Sequence, residues 1–166
     1  EILIFSHDDV WLTDPKPFTE IFNGLKNYDV IGVAGNTRII PMQPSWIFSH
    51  IKDGAFQHDH AHWSGRIRHG SLADNSLDNF GPTPATCELI DGVFMATYAR
   101  TLCAANVTFD PQFAFDFYDM DFCRACRNAD LSIGTWPIDI IHQSTGVFGN
   151  ERWMLAYQRY LDKWGG

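Results

Sequence analysis

Four consecutive apolar residues, Ile2-Leu3-Ile4-Phe5, run straight into Ser6-His7-Asp8-Asp9. An apolar block that stops at a pair of acids predicts a buried strand whose C-terminal end carries two carboxylates. Adjacent carboxylates repel each other, and a hard divalent cation is a common counter-charge. The segments that follow constrain the fold further. Asp14-Pro15 reads as a helix start, with Phe18, Ile21, Phe22 and Leu25 behind it at helical spacing. Val30 to Gly35 then predicts a second buried strand. Strand, helix and strand in quick succession predict a βαβ unit, and with it an α/β fold built on a mixed, mainly parallel sheet flanked by helices.

The rest of the chain fits one domain spanning residues 1–166. The stretch 41–86 is rich in Pro, Gly, His, Ser and Asn and lacks sustained periodicity. It predicts an irregular binding loop or lid with at most a short strand at Gly65 to His69. Glu88 to Ala96 predicts a strand kinked at Asp91-Gly92, and Arg100 to Ala105 a short helix. Residues 113–129 carry the strongest helical pattern, entered near Asp116 or Phe117. Leu131 to Ile141 predicts a strand interrupted by Pro137. Glu151 to Trp164 closes as an amphipathic helix with Trp153, Leu155, Ala156, Tyr160 and Trp164 on its apolar side.

Charge and cysteine content narrow the function. The formal net charge is -8, the wrong sign for a general nucleic-acid binder, whose affinity needs a basic surface. No apolar run approaches the roughly 20 residues that a transmembrane helix requires. Four cysteines at this length make no disulfide scaffold and suit a reducing, cytoplasmic compartment. Cys123-x-x-Cys126 falls inside the predicted helix rather than at its N-terminus, so buried helix-face thiols are expected there instead of a redox pair.

Three groups of candidate chemical residues stand at element ends: Asp8 and Asp9, Asp119 and Asp121, and His142. Acids in a first helical turn are favoured by the helix dipole whatever their function, and Asp116 with Asp119 has capping-box spacing. His142, before a polar glycine-bearing turn, suits a ligand or an ordinary turn residue. A separate possibility is His58-Asp59-His60-Ala61-His62. On a strand its three histidines would share one face and form a zinc site.

Taken in order, His7-Asp8-Asp9, Asp91-Gly92, Phe109-Asp110 with Tyr118-Asp119-Met120-Asp121-Phe122-Cys123-Arg124, and Ile141-His142-Gln143-Ser144-Thr145-Gly146 resemble the family 2 glycosyltransferases. The block from Phe109 to Gly146 is similar to their rhamnosyltransferase-like branch. The resemblance implies a partial GT-A, Rossmann-like fold lacking the N-terminal units that grip the nucleotide. It implies transfer of a sugar from a nucleotide-diphosphate donor to a hydroxyl acceptor, with inversion, aided by Mn²⁺ or Mg²⁺. Asp9 and His142 would be direct metal ligands, Asp8 would reach the ion through water or touch the ribose, and Asp91 would face the acceptor. Asp119 would be the general base, and Asp121 would brace the helix with Arg124. Two positions depart from the family pattern: His7 stands where an Asp is usual, and Tyr118 where a Glu is usual. A non-catalytic sugar-nucleotide-binding or assembly module is the alternative. The edge left beside the first strand predicts a homodimer, and the cysteine usage predicts a cytoplasmic protein, one that could work at the inner membrane surface.

Overall fold

The apolar block forms a strand, β1 (Ile2–Ser6), but its ladder partner overturns the expected sheet. The computed structural model describes residues 1–165. In it β1 pairs antiparallel with β11 (Phe94–Tyr98), which pairs antiparallel with β3 (Val30–Gly32). Helix α1 (Pro17–Gly24) therefore lies between two strands that point the same way but are separated by a third running against them. The five-stranded sheet has the order β1-β11-β3-β12-β9, with β12 at Ile133–Thr135 and β9 at Ala85–Thr86.

A second, six-stranded sheet runs β10 (Leu89–Ile90), β4 (Ala34–Asn36), β7 (Trp63–Gly70), β13 (Ile140–His142) and β2 (Val10–Leu12), with β8 (Asn75–Gly81) paired to β7. Among the described residues only β12 with β3 and β13 with β7 are parallel. The sheets are mostly antiparallel and curl into a half-barrel. The mainly parallel, Rossmann-like sheet flanked by helices is thus corrected to a mixed α/β fold.

The physical reason lies in three apolar runs that resemble single strands. Val30 to Asn36 divides at Val33, Leu89 to Tyr98 divides at Asp91-Gly92, and Ile133 to His142 divides around Pro137. Each run leaves one sheet and enters the other. Such a segment is covered on both faces: Val30, Ile31, Ala34, Leu89, Ile90, Met95 and Ile133 are all fully buried. Burial on both faces gives the same unbroken hydrophobic pattern as a strand of a covered parallel sheet.

The 41–86 region also differs from the expectation of a loop. It holds a hairpin of β5 (Phe48–Lys52) with β6 (Ala55–His58), and a longer hairpin of β7 with β8. The strand β8 covers only one neighbour and is largely exposed, so its sequence, Asn-Ser-Leu-Asp-Asn-Phe-Gly, carries little apolar signal.

The helices follow the sequence more closely. Helix α1 begins at Pro17 rather than Pro15, with Asp14 accepting a hydrogen bond from the Lys16 amide at 2.8 Å. It buries Ile21, while Phe18 and Phe22 remain exposed. Helix α2 (Ala99–Ala105) ends on Asn106 in the left-handed region. Helix α3 (Tyr118–Asn128) starts after Phe117, which has φ 67°. Asp116 does not cap it but pairs with Arg152 at 2.7 Å. Cys123 and Cys126 are buried on the core face of α3 with free thiols, and burial pushes the Cys126 thiol up to about 12. Helix α4 (Glu151–Trp164) is capped by Asn150, whose side chain accepts from the Trp153 amide at 2.9 Å. Tyr157 is buried in the place expected for Leu155, which is exposed.

Asp121 ties α3 to α4, but not through Arg124. Its carboxylate accepts from the Trp164 indole at 2.7 Å and pairs with Lys163 at 2.7 Å, while Arg124 lies over the Tyr160 and Trp164 rings. Asp121 is 1 % exposed. Asp121→Ala removes the buried acceptor of a part-buried indole N–H and of Lys163, and a loss of about 1–3 kcal/mol is expected. Amide hydrogen exchange should show α4 opening first.

Candidate functional site

Strand register assembles the site. Because Ser6 pairs with Phe94, the link after β1 lies against the link before β11, and the His7 amide donates to the Val93 carbonyl at 3.2 Å. Because Val10 pairs with His142, the same link also meets the end of β13. The Gln143 amide donates to the Asp9 carbonyl at 3.1 Å, and the Ser144 amide donates to Asp9 Oδ2 at 3.1 Å. Asp9 Oδ1 is left 3.2 Å from His142 Nε2 and 4.0 Å from His7 Nδ1. The two imidazole nitrogens are 3.3 Å apart. One ligand atom from each of His7, Asp9 and His142 thus lies within 4.8 Å of the others.

The environment suits ligation. Burial opposes the Asp9 charge, but hydrogen bonds from Ser144 and the nearby His142 outweigh it and hold the carboxyl below its usual range. Burial lowers the His142 imidazole against the pull of Asp9 and Asp91, which favours the neutral, ligating form. His7 is held on its other side, where Nε2 is 2.8 Å from the Tyr118 hydroxyl.

A second acidic pair stands beside this cluster. Asp91, in the break between β10 and β11, accepts from the Trp46 indole at 2.9 Å and from the Val93 amide at 2.8 Å. Trp46 is itself fixed: its carbonyl accepts from Asn36, which also donates to the buried, Arg38-paired Asp59. Asp119, in the first turn of α3, accepts from the Gly92 amide at 3.1 Å and the Met120 amide at 2.8 Å. Burial, followed by the charge of Asp91, pushes the Asp119 carboxyl up to about 7. Gly92 is required at its position, since a Cβ there would collide with the Tyr118 hydroxyl and ring.

Both groups open into one cavity of about 1080 Å³. Trp46, Phe80, Phe109 and Phe148 contribute aromatic wall, and Asp8 lines it as an exposed residue. Such a cavity is within the size range of small-molecule sites. Neither the family models nor the curated proteins match this chain.

The structure thus brings together Asp8, Asp9, Asp91, Asp119 and His142. It does not bring the 58–62 histidines into a metal site. β6 ends at His58, and His60–His62 form a 3-10 turn, so the shared strand face does not exist. His58 and His60 instead stack on each other and meet Trp63 edge-on. Among the described residues the potential metal-holding group is the one at His7, Asp9 and His142. Sequence reasoning singled out His7 and Tyr118 only as departures from the family pattern, with no role, and missed Trp46. His7 stands two residues before Asp9, a spacing that puts both side chains on one side of extended chain, and that was its available signal. Trp46 comes from the region read as a loop and had none.

Proposed function

We propose that this chain is a metal-dependent, inverting glycosyltransferase that moves a sugar from a nucleotide-diphosphate donor to a hydroxyl acceptor. The observation that carries this reading is the single cavity shared by the His7-Asp9-His142 cluster and the shielded carboxylate of Asp119. Asp9 and His142 hold the cation, and their spacing fits one. Mn²⁺ or Mg²⁺ bound there supplies Lewis-acid stabilisation of the departing diphosphate. Asp8, exposed beside them, contacts the donor directly or through water. Asp119 takes the acceptor hydroxyl proton as that oxygen attacks the anomeric carbon. A carboxyl titrating near neutrality suits this task. Asp91, fixed by Trp46, faces the acceptor and keeps Asp119 basic. The aromatic wall offers stacking surfaces to sugar rings.

Other parts of the reading concern the setting. None of the described helices is long and apolar enough to cross a membrane. Four free thiols suit a reducing, cytoplasmic compartment. β1 is the terminal strand of its sheet, which supports pairing with a second copy through that edge.

The test is release of nucleoside diphosphate from a panel of sugar nucleotides, with and without chelator. Release is expected only with metal, and Asp9→Ala or His142→Ala should reduce it at least about 100-fold. Equal release by chelator-treated protein overturns the reading. Metal-dependent nucleotide binding without turnover, over a broad acceptor panel, would replace it with a binding module.

A further inference from the structure

We propose that His7 is a third metal ligand, oriented by Tyr118, and that together they make the site prefer a transition-metal ion to Mg²⁺. This rests on the metal site proposed above and adds to it the role of His7, the partner that sets its tautomer, and the class of ion.

The argument begins from hydrogen-bond capacity. An imidazole that ligates through one nitrogen must carry its proton on the other, and that N–H needs an acceptor. His7 Nδ1 faces Asp9 and His142, and Nε2 faces the Tyr118 hydroxyl at 2.8 Å. With the proton on Nε2, the phenol oxygen accepts it and Nδ1 is free to ligate. Tyr118 can reach His7 only because residue 92 has no side chain: a Cβ on Gly92 would occupy the place of the phenol. The two positions that break the family pattern, His7 and Tyr118, therefore touch each other.

The donor set would be two imidazoles and one carboxylate, all three residues lining the cavity. Mg²⁺ favours oxygen ligands in a near-ideal octahedron, whereas imidazole favours first-row transition ions. Two nitrogens among three donors thus shift preference away from Mg²⁺.

The experiment is metal binding to the metal-free chain, read by titration calorimetry with Mn²⁺ and with Mg²⁺, and by electron spin echo of bound Mn²⁺. The unaltered chain is expected to bind Mn²⁺ at least about tenfold more tightly than Mg²⁺ and to show two coupled imidazole nitrogens. His7→Ala and His7→Gln should each lose one nitrogen signal and weaken Mn²⁺ by about 10–100-fold. Tyr118→Phe, which keeps the ring, should weaken Mn²⁺ about tenfold while leaving Mg²⁺ nearly unchanged. His7→Asp should bring the two ions closer in affinity.

Equal affinities for the two ions, or a single nitrogen signal in the unaltered chain, would overturn the proposal. So would Mn²⁺ binding unaffected by His7→Ala and Tyr118→Phe. If Asp9→Ala and His142→Ala abolish binding while the position 7 variants do not, the metal site stands and this inference falls. If every binding result is as expected but no sugar is transferred, this inference stands and the transferase reading falls.

Discussion

Asp119→Asn is expected to lower the rate of sugar transfer by about 10³-fold or more, within the range for a lost general base. Metal-dependent donor binding should be nearly intact, because Asp119 touches none of His7, Asp9 and His142. The Gly92 and Met120 amides that hold its carboxylate are part of the fold, and an asparagine retains one acceptor for them. The pH profile tests the role separately from the loss itself. A base works deprotonated, so the rate should rise with pH up to about 7, where burial and Asp91 place the Asp119 carboxyl. Below that value it should fall tenfold per pH unit. Asp91→Asn removes the neighbouring negative charge and should move this limb to lower pH. A pH-independent rate between pH 5 and 8, or an Asp119→Asn enzyme of near-normal rate, would remove Asp119 from the mechanism.

Gly65→Ala is expected to be the most damaging small substitution in the sheets, costing about 3 kcal/mol or more. Gly65 has φ 97° and stands where the β7–β8 register shifts. Its missing side chain lets the Val33 carbonyl come close and accept from the Arg66 amide at 3.0 Å. A Cβ there would collide with that oxygen and lie 2.8 Å from Ala34 Cα. Both obstacles are backbone, so no rotamer change relieves them. Urea unfolding should show a much lower midpoint with little change in slope. A midpoint within a few tenths molar of the unaltered chain would show that β4 and β7 can separate at no cost.

Local sequence signals were reliable where an element stands alone against the core. Helix α4 appears at Glu151–Trp164 as its periodicity predicts, and α3 differs mainly at its entry. The sheets were not legible, because an apolar run such as Val30–Asn36 or Leu89–Tyr98 looks the same whether it forms one strand or two. The turn residues that divide these runs, Asp91-Gly92 and Pro137, were visible. What they do, passing the chain to another sheet, depends on partners distant in sequence. The polar hairpins between 41 and 86 hid for the opposite reason: β8 is too exposed to carry a pattern.

The order of acids and histidine at element ends made it legible that Asp9, Asp119 and His142 would line one cavity. The accessory residues were less so. Tyr118 matters through a hydroxyl contact with a residue 111 positions away, and no spacing rule encodes that.

The breaks where the chain passes between the two sheets have a consequence for substitutions at the site. His7, Asp8, Asp9, Asp91 and Gly92 all occupy stretches outside the strands, so none is needed to hold a register. Part of the candidate site therefore lies on links between strands, while His142 belongs to β13 and Asp119 to α3. Side-chain changes within these two links would reshape that wall of the cavity while leaving every ladder pair in place.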